Sequence, residues 1–144
     1  MRALLDINIL IALFDPDHVF HERAHAWWAR NSTAGWASCP LTENGLIRIM
    51  SNPKYSRVIQ FGPSDIISRL TRFVTDTDHE FWADDISLRH EAVFKMDRLH
   101  SSSSLTDIYL LGLAARHHGR LATFDQAIPL TAVHAATAEN LCAV

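Results

Sequence analysis

The sequence predicts an α/β domain, with a mainly parallel sheet of four to five strands inside a three-layer α/β/α arrangement. Three observations carry that expectation. Short apolar runs such as "RALL" and "RLATF" each stop at an aspartate, Asp6 and Asp125. These runs alternate with segments whose apolar residues recur at helical spacing. The segment from Leu105 is nearly all apolar up to its basic end, which suits a helix buried against a sheet. The chain, 1–144, reads as a single domain, and a fold of that size buries roughly 68–70% of its extended-chain surface.

The elements follow in order. Arg2 to Leu5 reads as a buried strand, and a short helix follows from about Asn8 to Phe14. Asp15-Pro16-Asp17 is a turn with an N-cap candidate. It precedes a helix over His18 to Arg30, in which Phe20, Ala24, Trp27 and Trp28 share a helical period. Gly35 to Ala37 is a short strand. Ser38 is an N-cap candidate, and Pro40 opens a helix to about Met50, in the turn where its missing N–H costs little. "SNPKYS" ends that helix, and "GPSD" at Gly62 to Asp65 starts another, to about Val74. Glu80 to Asp84 reads as a strand, Ser87 to Leu99 as a helix, and "HSSSS" as a flexible polar loop. Leu105 to His118 is the clearest helix, stopped by Gly119. Arg120 to Phe124 is a strand, and a last strand lies near Leu141.

Composition excludes several classes. The formal net charge of −3 does not describe a protein that coats nucleic acid by bulk electrostatics, although a basic rim around an acidic site is compatible with it. Lys54 and Lys95 are the only lysines among thirteen basic residues, and the Arg excess suits bidentate phosphate contact. No apolar run approaches the ~18 residues of a membrane span, and no signal-peptide pattern opens the chain. Cys39 and Cys142 are far apart and lack metal-ligand spacing, so a reducing cytoplasm is expected.

The carboxylates carry the chemistry. Open parallel sheets build sites at the carboxyl ends of their strands, where Asp6 and Asp125 fall. Glu43 follows Pro40 in the early turns of its helix, and Asp107 opens the buried helix beside Thr106. Each acid alone has a plain explanation, as a turn former or as a complement to a helix dipole. Together, four carboxylates converging on one sheet edge would repel one another unless a cation held them. Hard oxygen ligands favour Mg²⁺ or Mn²⁺ over Zn²⁺. Such a site suits phosphodiester hydrolysis.

The blocks "LLDINILIALF", "SCPLTENGLIRIMSNP" and "LTDIYLLGLAARHHGRLATFDQAI" resemble the successive blocks of a PIN-domain ribonuclease, closest to the VapC-type toxins of prokaryotic toxin–antitoxin pairs. The resemblance spans nearly the whole chain. It implies a PIN-like fold and a Mg²⁺- or Mn²⁺-dependent endoribonuclease toxin, with tRNA as a target class. By this resemblance Asp6, Glu43, Asp107 and Asp125 are the catalytic acids. Asp6 and Asp107 would ligate the metal, with Glu43 and Asp125 joining directly or through water. Asn8 and Thr106 would be supporting hydrogen-bond groups. The partners it implies are the RNA substrate, a VapB-like antitoxin that wraps the toxin and places a basic side chain in the acidic site, and a second copy in a homodimer formed through helices near residues 40–75. Arg48, Lys54 and Arg57 lie shortly after Glu43 and are candidates for phosphate contact.

One motif points elsewhere. His21-Glu22-Arg23-Ala24-His25 is a literal H-E-x-x-H, the zinc-protease signature, with Glu43 as a third-ligand candidate. Only one strand precedes it, and the adjacent Trp27 and Trp28 read as core, so it is taken as a coincidence of an amphipathic helix. His117 and His118 suit the dipole at a helix C-terminus. Asp97 is a further acid within possible range of the site, or a surface charge. A phospho-receiver would need a Lys after a late strand, and a haloacid-dehalogenase-like phosphatase a second Asp where Asn8 stands. The remaining alternative is a catalytically inactive PIN-like module that binds RNA or protein.

Overall fold

The computed structural model describes residues 1–144. Five strands form one all-parallel sheet, in the order β3-β2-β1-β4-β5. The strands are β1 (Ala3–Leu5), β2 (Trp36–Ser38), β3 (His79–Phe81), β4 (Arg120–Thr123) and β5 (Leu141–Ala143). The helices are α1 (Ile7–Phe14), α2 (His21–Asn31), α3 (Pro40–Met50), α4 (Pro63–Asp76) and α5 (Leu105–Arg116). From β1 the chain steps outward to β2 and β3. It then returns through α5 to β4, on the other side of β1, and steps out to β5. The gap between β1 and β4 is therefore the point where the strand order reverses, and parallel sheets open a crevice there.

Side-chain alternation along the strands divides the core in two. Ala3, Leu5, Trp36 and Ala122 pack into a cluster of 17 buried residues with α1, α2, α3 and α4. Leu4, Ala37 and Leu121 point the other way, into a cluster of 16 with α5. The sheet is thus covered on both faces. Gly112 lets α5 come close on its side: a Cβ there would stand 2.6 Å from Phe94 Cζ.

Helix α1 is only eight residues long, and six of them are buried. So short a helix is marginal by itself. Its ends are held from elsewhere. Asp6 is the N-cap and accepts from the Ile7 N–H. All four C-terminal carbonyls, which have no partner inside a helix, are taken up. Asp15 N–H donates to Ile11 O. His21 Nδ1 donates to Ala12 O at 2.7 Å and His25 Nε2 to Leu13 O at 3.0 Å. Arg69, from α4, donates to Phe14 O. The carbonyls can only accept, which fixes a proton on each of those histidine nitrogens.

Several boundaries differ from the sequence expectation. Helix α2 starts at His21 rather than His18, because residues 15–20 form turns in which Asp15 and His18 side chains accept backbone N–H groups. The N-cap of α3 is Cys39, not Ser38: Thr42 Oγ1 accepts from Cys39 N–H and donates to Cys39 O. Strand β3 lies at His79–Phe81, earlier than Glu80–Asp84. The expected helix over Ser87–Leu99 is absent. Only a turn from His90 to Phe94 and a 3₁₀ turn at Met96–Arg98 form, because the backbone between them pairs with the tail: Lys95 N–H donates to Ala132 O and His134 N–H to Val93 O. Phe94, 1% exposed, seats itself over Gly112. Long-range pairing and one large buried ring outweigh helix propensity here. The serine-rich stretch is a capped 3₁₀ turn, Ser102–Ser104, with Ser101 Oγ accepting from Ser103 N–H. Helix α5 ends at Arg116, and His118 takes the left-handed conformation at φ 54° before Gly119. The His117 ring stacks on Trp82 at 4.3 Å.

Candidate active site

Asp6 leaves the end of β1 as the cap of α1 and is 6% exposed. Its Oδ1 accepts from Ile7 N–H at 2.7 Å, and its Oδ2 accepts from Thr123 Oγ1 at 2.8 Å. Thr123 closes β4, so this bond ties the two strand ends across the switch point. Thr123 Oγ1 also accepts from Asp125 N–H at 3.1 Å, and Asp125 Oδ1 accepts from Ala127 N–H at 2.8 Å. Asp107 enters from the first turn of α5.

The Asp107 and Asp6 carboxyls both feel the charge of Asp125, and Asp107 also that of Asp6. Burial pushes the Asp107 carboxyl up from the usual 3.8 to about 6, with the charges of Asp6 and Asp125 adding to the rise. Asp6 is also raised by burial; its bonds to Thr123 and Ile7 oppose the shift, and the Asp125 charge adds to it. Like charges gathered in a partly dry site disfavour ionisation. A cation would relieve that cost.

Glu43 is held by a contact of its own. Its Oε1 accepts from Ser38 Oγ at 2.6 Å, and the same hydroxyl lies 2.7 Å from His79 Nε2. The structure thus brings Asp6, Asp107 and Asp125 together at the β1/β4 end, and anchors Glu43 at the β2/β3 end of the same sheet edge. Asn8 and Thr106 are exposed and bond to none of the acids; the hydroxyl on Asp6 is that of Thr123. Arg48, Lys54 and Arg57 are exposed. Arg48 and Lys54 flank a shallow depression with Tyr55. Asp97 is a surface charge, 3.9 Å from Arg98. Thr123, Ser38 and His79 are the polar partners that sequence reading missed. The only signal for Thr123 is a hydroxyl two residues before a strand-end Asp. Ser38 was noticed, but as a cap.

The donor chemistry fits a hard divalent cation. Every acid at the site offers carboxylate oxygen, with no thiolate or imidazole among them. No three His, Cys, Asp or Glu side chains close to chelating geometry. Mg²⁺ does not need them to, because it binds through one or two carboxylates and keeps waters and substrate oxygens for its other positions. His21 and His25 have rings 4.2 Å apart, but one nitrogen of each is committed to an α1 carbonyl. The H-E-x-x-H match is a capping device. Two clefts, of about 440 and 470 Å³, share Phe14 and Arg69 beside the end of α1, and neither includes any of the four acids. The acids stand at the carboxyl edge of the sheet, outside both clefts.

A parallel sheet ordered 3-2-1-4-5 with aspartates at its reversal point places the chain among the doubly wound α/β proteins. The PIN domain family model matches residues 3–134, and the chain belongs to the PIN-domain family. Within it, the chain falls among the VapC-type ribonucleases. It is 48% identical to Ribonuclease VapC44 of Mycobacterium tuberculosis over 98% of each chain. It is 41% identical to Ribonuclease VapC39 of the same organism, over 89% of this chain and 91% of the relative. The fold also matches a solved complex described as VapBC2 from Rickettsia felis bound to a DNA fragment from their promoter. The TM-score is 0.55 and the identity 14%, with 88% of this chain and 90% of the other covered.

Proposed function

We propose that this protein is a Mg²⁺- or Mn²⁺-dependent endoribonuclease toxin, neutralised by a VapB-like antitoxin. The observation that carries the reading is the hydrogen-bonded group of Asp6, Thr123 and Asp125 at the ends of β1 and β4, with Asp107 entering from the first turn of α5. Asp6 and Asp107 would hold the metal, with Asp125 and Glu43 completing the acidic ledge. When bound, such an ion activates water and offsets charge building on the phosphodiester. The chain's own residues do the rest. Thr123 and the α1 N-terminus fix the Asp6 carboxylate in place before substrate arrives. The half-buried Asp107 holds its proton up to near neutrality, so divalent cation and proton compete for it. Arg48 and Lys54 are free of ion pairs and available to phosphates beyond the scissile one.

The ribonuclease activity of the VapC relatives supports this reading, as does the antitoxin component of the VapBC2 neighbour. An antitoxin Arg or Lys placed among the aspartates would neutralise the repulsion that a metal otherwise relieves. RNA exposed in single-stranded loops, including tRNA loops, is the substrate class, and the protein pairs as a homodimer through the α3–α4 region. No helix is long and apolar enough to cross a membrane.

The deciding experiment is cleavage of a small-RNA pool from the source organism by purified protein with Mg²⁺, Mn²⁺, Zn²⁺ or EDTA. Asp6→Asn and His21→Ala run beside the parent. Discrete fragments that need Mg²⁺ or Mn²⁺ and disappear only with Asp6→Asn are the expected result. Cleavage that survives Asp6→Asn overturns the assignment.

A further inference from the structure

Glu43 owes its position to a hydrogen-bond chain that no catalytic motif includes. Ser38 is the last residue of β2 and is 0% exposed. A buried hydroxyl without partners is costly, and this one has two. It has a single proton, and a carboxylate can only accept, so Ser38 Oγ donates to Glu43 Oε1 at 2.6 Å. The 2.7 Å contact with His79 must then run from Nε2–H to Ser38 Oγ. This order fixes the His79 tautomer. The imidazole is itself held in place, packed on the Trp36 ring at 4.4 Å, with Trp36 and His79 paired across β2 and β3. Ser38 is the only hydrogen-bond partner of the Glu43 carboxylate, and Oε2 is unbonded.

We propose that Ser38 and His79 are positioning residues for Glu43. The chain His79 Nε2–H to Ser38 Oγ–H to Glu43 Oε1 holds the carboxylate at the sheet edge with Oε2 free to serve a divalent cation or its water. This proposal rests on Glu43 belonging to the metal site. It adds the edge strand β3 to the catalytic architecture, whose acids otherwise arise from β1, α3, α5 and the end of β4.

The test is Mn²⁺ affinity, read as free Mn²⁺ by electron paramagnetic resonance, on the full chain in the absence of RNA. RNA cleavage and urea unfolding are followed in parallel. Partners that orient a metal ligand typically govern affinity about ten-fold or more. Ser38→Ala is expected to weaken Mn²⁺ binding about ten-fold. His79→Leu should weaken it less, and His79→Gln, whose amide can still donate, should restore it. In a Glu43→Ala background, Ser38→Ala should cause no additional loss, because its effect passes through Glu43. Wild-type affinity in Ser38→Ala, beside a weakened Glu43→Ala, overturns the proposal and leaves the nuclease reading intact. So does an additive loss in the double variant. Wild-type affinity in Glu43→Ala overturns both the proposal and the place of Glu43 in the site. If Ser38→Ala fails to fold, the His79→Leu and His79→Gln pair decides: equal affinities in the two overturn the proposal.

Discussion

Asp107 is the acid whose titration reports most directly on the site. Its carboxyl is raised to about 6, so the folded protein holds that proton more tightly than the unfolded chain does. The apo protein therefore loses stability as pH rises from the usual 3.8 through about 6. The gap corresponds to at most about 3 kcal/mol, and solvent screening of a half-buried group trims it to about 1 kcal/mol. Asp107→Asn should thus stabilise the metal-free protein by about 1 kcal/mol at pH 8 and leave it unchanged near pH 3, by urea unfolding at the two pH values. The same substitution should remove metal-dependent cleavage. In the parent, cleavage should fall as pH drops through 6, since the protonated acid is a poor ligand; a pH–rate profile checks this. Asp6 and Asp125 were legible in the sequence because each ends an apolar run. Thr123 was not, because a threonine inside a strand looks like any β-former until its partner 117 residues away is known.

At the scale of elements, α1 depends on its neighbours. His21→Ala leaves Ala12 O without its donor, which should cost about 1 kcal/mol and lower Tm by about 2–4 °C. Cleavage should be unchanged, and added Zn²⁺ should not alter the melting curve of the parent. A motif that matched a zinc protease letter for letter is in this fold a pair of donors reaching a helix end, a role sequence spacing alone does not reveal. Helix α5 makes the complementary case. Gly112→Ala drives a methyl into Phe94, and overpacking of this kind costs about 1–3 kcal/mol. The loss should appear as faster backbone hydrogen exchange across residues 85–99. That segment was the largest error of sequence reading: its helical composition was visible, but the pairing of Phe94 with Val133 is a long-range contact with no local signature.

For the whole molecule, metal and fold should be linked. Mg²⁺ or Mn²⁺ in excess should raise the Tm of the parent, because an ion held by the folded acids and not by the unfolded chain stabilises the fold, and EDTA should reverse the gain. Asp6→Asn should melt at the same temperature with or without the ion. The strand–helix alternation that gave the α/β class was readable because buried parallel strands and helices differ in period. The strand order was not, since nothing local says that the fourth strand inserts beside the first. That insertion also sets the timing of the enzyme's birth. The acids on β1 and α3 leave the ribosome early, but the strand that completes their ledge is not made until residue 123. A nascent chain lacking β4 has neither the Thr123 bond nor the Asp125 charge. A chain still in translation therefore lacks the full set of acids until nearly the whole message has been read.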